Sequence, residues 1–314
     1  MNRPLFAFLL LFLGGCYSAH EKIEPKVAYT VQDRYLQSLP SPFPPLSERE
    51  KEEPWGREYL IGLSFAHALD LYQAITAFKR SEILLASTNL ERRSELFYDT
   101  LLCYYLGKKY SDVVETFEKS PLQNANARFP AFCDLLVILY DSYLQINDLH
   151  RAALILETLR KFYPEAAETL TLYSSLSQGN VESIETLSET YPERSYLRDF
   201  LTTYRDQKKS VAKAQFFNAA LPGAGYLYIG QGQTALTAFL INGLFIAASW
   251  YFFESGNTPA GIIFTSFELG WYFGGIYGAK EEAKAYNERI YERIASPMMT
   301  REKLFPVLTL KYAF

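Results

Sequence analysis

The glycines of the stretch LPGAGYLYIGQGQTA, Leu221–Ala235, stand where a loop could cradle a phosphate. A Walker loop, however, needs a lysine that reaches the β- and γ-phosphates, and Gln231 and Gln233 carry no charge. A dinucleotide fingerprint needs a strand before it, and AKAQFFNAALP does not alternate as a strand does. Nucleotide chemistry is therefore not expected. Glu268 is the one charged residue within two long apolar runs, and Asn242 is its polar counterpart in the other run. No HExxH, GxSxG or cysteine–histidine grouping occurs. His20, His67 and His150 are scattered, and Cys103 and Cys133 lack metal spacing. No catalytic residues, metal or cofactor are expected, and the chain reads as non-enzymatic.

The elements around Glu268 read as a membrane hairpin. Thr234–Phe253 is an uncharged run of the length that crosses a hydrocarbon core of ~30 Å. The turn ESGNTP follows, and Ala260–Ala279 forms a second run. Trp250, Tyr251, Tyr226 and Tyr228 sit where an interfacial aromatic belt would lie. Gly270, Gly274 and Gly278 make a small-residue stripe suited to close helix packing, within the chain or between copies. In an antiparallel hairpin Asn242 and Glu268 share a depth, so a hydrogen bond between them is expected. Its readings are a structural clip or a proton or partner site. Pro222, Gly223, Gly225, Tyr228 and Gly230 then form a helix-breaking segment at the membrane surface. PGAGYLYIGQ resembles the lead of two-helix membrane modules of the TM2 type, which implies a hairpin and no established chemistry.

The first residues, MNRPLFAFLLLFLGGC, combine Arg3, a short apolar core and small residues before Cys16. This is a secretion-signal pattern. LGGC resembles the bacterial lipobox, which implies cleavage after residue 15, a lipid on Cys16 and a site in the cell envelope. Tyr17 in place of aspartate leans toward the outer membrane by the same resemblance. The alternative is an ordinary signal with an incidental cysteine. Residues 16–54 are rich in proline and charge and read as a tether.

Residues 55–205 show helical spacing and an internal repeat. Gly62, Phe65, Ala74 and Phe78 recur as Leu101, Tyr104, Val113 and Phe117, then as Tyr140, Tyr143, Ala152 and Leu156, with a degenerate unit ending at Pro192. The pattern resembles the tetratricopeptide repeat, although its 39-residue period exceeds the usual ~34. That resemblance implies a surface that docks partner proteins; an irregular helical bundle is the alternative. The net charge of −4 gives no nucleic-acid footprint.

The expected fold is thus all-α: a tetratricopeptide-like solenoid, a membrane-associated hairpin over 206–287, and a tail over 288–314. The alternation of Leu308, Leu310, Tyr312 and Phe314 suggests a terminal strand. The expected partners are other envelope proteins and membrane lipid, with oligomers possible through the glycine stripe. A scaffold is the leading functional expectation, with outer-membrane protein assembly as one setting. A transport component centred on Glu268 is the alternative. One conflict stands. Lys208, Lys209, Lys213, Lys280, Lys284, Arg289 and Arg293 flank the hairpin, and the positive-inside rule would put both its ends in the cytoplasm.

Overall fold

The computed structural model of the chain describes residues 23–29 and 33–314. The expected signal peptide and Cys16 lie outside the described residues. Every regular element described is a helix, so the fold is all-α. The described residues divide into two compact units, one of residues 23–27 with 176–295 and one of residues 28–29 and 33–175 with 296–314. Residues 176–205, expected among the repeats, thus belong with the hairpin.

The second unit is built from helix pairs. These are α1 (Asp33–Gln37), α2 (Glu48–Glu52), α3 (Pro54–His67), α4 (Leu71–Leu84), α5 (Leu90–Leu106), α6 (Tyr110–Glu118), α7 (Phe132–Gln145), α8 (Leu149–Phe162) and most of α9 (Pro164–Ser177). One turn geometry joins α3 to α4, α5 to α6 and α7 to α8. Leu69, Lys108 and Asn147 each take a left-handed conformation, with φ of 59°, 57° and 62°. The next residue caps the following helix, and the Asp70 and Asp148 side chains accept the amides of Gln73 and Arg151. Leu69 and Lys108 hold a region that favours glycine, so the turn is imposed by the packing of the pair and not by the residue in it. Within the first pair, Gly62 leaves the space that the fully buried Phe78 ring fills.

The expected tether is not free beyond residue 33. Ser47 and Glu50 form a capping box on α2, and Leu36 and Leu46 are buried. The Arg92 guanidinium donates to Glu50 at 2.9 and 3.2 Å, to Glu95 at 2.7 Å, and to the Pro44 and Pro45 carbonyls. The prolines keep this segment out of long helices and leave its carbonyls open to such a donor.

The expected terminal strand does not form. Pro306 begins a short helix, α16 (Pro306–Thr309), and Leu310–Phe314 continue without a ladder partner. Proline at the first helical position favours that turn.

The first unit contains α10 (Val181–Thr190), α11 (Ser195–Gln207), α12 (Val211–Ala220), α13 (Ala224–Tyr228), α14 (Gly232–Glu254) and α15, which starts at Thr258. Among the described residues, α14 is the one helix long and apolar enough to cross a membrane. Its 23 residues extend for about 34 Å. The expected second span is the first part of a 44-residue helix, Thr258–Arg301, which becomes charged from Lys280 onward.

Candidate functional site

The residues expected to act in the hairpin fall on its inner face. In α14 that face carries Ala235, Ala238, Asn242 and Ser249, all buried at helical spacing. Leu236, Phe239, Leu240, Leu244, Ile246, Trp250 and Tyr251 point outward and are exposed. In α15, Ile262, Ile263, Phe267, Leu269, Trp271, Phe273 and Tyr277 are exposed, while Glu268, Tyr272 and Ala279 turn inward. The buried positions of α14 are small or polar and most of the large apolar side chains face outward, the reverse of a water-soluble helix pair, although Phe245 and Phe252 of α14 pack on Phe264 of α15 with ring centroids 6.3 and 5.1 Å apart.

The break before α14 is built from several locked contacts. Gly223 holds a φ of 92°, and its amide donates to the buried Asn218 side chain at 2.9 Å. A side chain at Gly223 would collide with the Ala235 carbonyl, and one at Gly225 with the Ala214 carbonyl and the Asn218 and Ala279 side chains. Gly230 is left-handed but open. The Tyr228 hydroxyl accepts the Ser210 amide at 3.2 Å. Tyr226 is buried, with its hydroxyl near Gly278. These two tyrosines therefore pack inside the unit and do not form a belt, whereas Trp250 and Tyr251 are exposed. The Tyr272 hydroxyl donates to the Ala219 carbonyl at 2.5 Å, and the Asn287 amide pairs with both main-chain groups of Lys209 at 2.7 and 2.8 Å.

A cavity of about 600 Å³ opens between these elements. Pro222, Asn242, Gly270 and Gly274 line it, together with Asn218 and Tyr226. The expected Asn242–Glu268 hydrogen bond is absent. Asn242 donates to the Ala238 carbonyl one turn back at 2.6 Å, and its carbonyl oxygen has no partner. One carboxylate oxygen of Glu268 is buried and also without a partner. The two residues share an inner face but not a meeting point. Of the glycine stripe, Gly278 meets Tyr226, while Gly270 and Gly274 have nothing within 4 Å of a built Cβ. Within the chain the stripe is thus not a continuous packed seam.

The helix-pair unit holds a second constellation that sequence reasoning missed. The buried Asp134 carboxylate at the start of α7 accepts the main-chain amides of Lys311 and Tyr312 at 2.8 and 2.9 Å. Its other oxygen is buried without a partner. Burial pushes this carboxyl up to about 6, against the two amide hydrogen bonds, which lower it. Nearby in the chain, the Tyr59 hydroxyl lies 2.6 Å from Glu95 and 2.8 Å from Asp99, and burial raises both acids. Asp141 accepts hydroxyls from Tyr105 and Tyr173, and burial raises it as well. No catalytic or metal-binding motif marks these acids; Glu95 and Asp99 lie one turn apart in α5, and Asp134 and Asp141 two turns apart in α7.

Among the described residues no group of His, Cys, Asp and Glu is placed to hold a metal ion. Cys103 and Cys133 are unpaired thiols. No family model matches the chain, and no curated protein or solved structure matches it either.

Proposed function

We propose that the chain is a non-enzymatic scaffold of a bacterial cell envelope. The hairpin unit and a lipid on Cys16 hold it at the membrane, and the helix-pair unit docks partner proteins. The observation that carries the membrane half is the outward face of α14 and α15, where most of their large apolar side chains are exposed while Asn242, Ser249 and Glu268 face inward. An outward face of this kind is stable in lipid and costly in water. The docking half follows from the paired helices and their recurrent turn, an architecture suited to holding extended segments.

Lipid labelling of the wild-type chain and of Cys16→Ser, followed by separation of inner and outer membranes, tests this reading. Label on the wild type and none on the variant is the expected result. An unlabelled wild type overturns the lipid anchor. The fraction that holds the protein then selects outer-membrane assembly or an inner-membrane adaptor as its setting.

One observation favours a second reading, a transport or proton-coupled component. Asn242 and Glu268 each keep a buried, unpartnered oxygen within an apolar helix pair. Polar groups at that depth mark ion paths as well as structural contacts. Glu268→Gln separates the two readings, because it is silent in a scaffold and abolishes function in a transporter.

A further inference from the structure

The segment from Phe305 through α16 to Phe314 lies along the helix-pair unit as a bound peptide would. Phe305 packs its ring against Tyr173 of α9 with centroids 6.0 Å apart. The carbonyls of Leu308 and Leu310 accept the Tyr35 hydroxyl at 2.8 and 3.2 Å. Asp134 of α7 then takes the amides of Lys311 and Tyr312. The Ala313 amide donates to the Pro40 carbonyl at 3.1 Å. Phe314 ends on Phe78 of α4, with ring centroids 6.5 Å apart. The segment therefore passes from α9 to α4. Leu310, Ala313 and Phe314 are buried, while Lys311 is exposed.

Simple closure of a core does not require this chemistry. A buried carboxylate is costly, and apolar side chains of similar volume would fill the place as well or better. Asp134 faces main-chain amides, which every residue except proline supplies, so it grips an extended backbone whatever its sequence. Side-chain selection falls to the Phe78 contact and to the sites of Leu310 and Ala313.

We propose that Asp134, Pro40, Tyr35 and Phe78 form a peptide-binding cradle, that Leu310–Phe314 is its resident ligand, and that a partner's extended segment with an aromatic side chain for the Phe78 contact enters by displacing it. This rests on the reading of the helix-pair unit as a docking module. A covalently attached occupant acts at an effective concentration of the order of millimolar. An incoming peptide of micromolar affinity is therefore strongly opposed until the tail is released.

The test is a titration with a fluorescent peptide of sequence LTLKYAF. It is added to the full chain, to the chain ending at Thr309 and to full-length Phe314→Ala. The truncated chain should bind at least about tenfold more tightly than the full chain. Phe314→Ala should fall between them, and a peptide ending in alanine should bind weakly to all three. In the full chain, saturating peptide should also speed hydrogen exchange at the Lys311 and Tyr312 amides. Equal binding to all three proteins, or no binding by a truncated chain that keeps its helical signal and cooperative melting, overturns the cradle. If truncation prevents folding, unchanged exchange at those two amides under excess peptide overturns it instead. Peptide binding by a chain that carries no partner in the envelope would overturn the docking role and leave the cradle standing, so the two failures are distinguishable.

Discussion

At the scale of single residues, the helix-pair unit depends on a few buried charges with opposite pH behaviour. All five N–H donors of Arg92 are engaged, bidentately on Glu50 and also on Glu95, Pro44 and Pro45. Arg92→Ala leaves Glu95 buried without its cation and frees residues 44–50. Denaturant unfolding should show a loss of about 3 kcal/mol. The Arg92 hydrogen bonds hold Glu50 down to about 2. Its contribution is complete above its unfolded pKa of about 4.5 and is lost as pH falls toward 2. Asp134 behaves in the opposite sense. Burial places it at about 6 in the folded chain against 3.8 as its ordinary value, so between those limits the folded state binds the extra proton. Stability therefore falls as pH rises through that window. Glu95, Asp99 and Asp141 are raised by burial and act the same way. Melting followed across pH should give a maximum on the acid side of neutrality. Asp134→Asn should reduce the slope between pH 4 and 6 and stabilise the chain at pH 7 by about 2 kcal/mol.

At the scale of elements, the turn from α12 through α13 into α14 depends on close backbone approach. Gly225→Ala brings a methyl group against the Ala214 carbonyl, a backbone group that cannot swing away. It should cost about 2–3 kcal/mol. Gly243, also in the hairpin, faces open space. Gly243→Ala should change stability by less than about 1 kcal/mol, in the favourable direction. Thermal unfolding in detergent, followed by helical circular dichroism, compares the two. This break was legible in the sequence because proline and glycine act locally, and α14 was legible because uncharged apolar runs of that length are rare in water-soluble helices; of α15 only the apolar first part was legible, since its charged continuation to Arg301 reads as a separate tail. The expectation that Asn242 and Glu268 share a depth followed from an antiparallel hairpin. Their failure to bond did not, because Asn242 finds a nearer acceptor in the Ala238 carbonyl of its own helix. The anchoring of residues 44–50 and of Lys311 and Tyr312 left no local trace at all. Each depends on one side chain, Arg92 or Asp134, captured from far along the chain. Alternation at Leu308–Phe314 suggested a strand for the same reason, since the period does not show that Asp134 takes the amides a neighbouring strand would otherwise use.

At the scale of the whole molecule, two topology signals oppose each other. The proposed lipid on Cys16 would put both flanks of the hairpin outside the cytoplasm, whereas its Lys and Arg residues favour the inside. In the folded chain several of these cations face acids. Lys284 lies 3.9 Å from Glu288, and Arg289 lies 4.0 Å from Glu282. The rule counts cations irrespective of such neighbours, so pairing does not remove the conflict. What distinguishes the outcomes is the side on which Ser255, at the exposed turn between α14 and α15, is found. Maleimide reacts with thiolate, and the native thiols are poor targets, since Cys103 is buried and raised by that burial and Cys133 is pushed up to about 11. A membrane-impermeant maleimide applied to intact spheroplasts should therefore report introduced cysteines selectively. If Cys16 governs, Thr202→Cys is labelled and Ser255→Cys is protected until the membrane is permeabilised. The converse pattern means that the flanking lysines set the topology, and it overturns the extracytoplasmic placement of the helix pairs. Labelling of both without permeabilisation means that the hairpin enters only one leaflet from outside. That outcome keeps the lipid anchor and removes the transport reading, because a path through the bilayer needs helices that cross it.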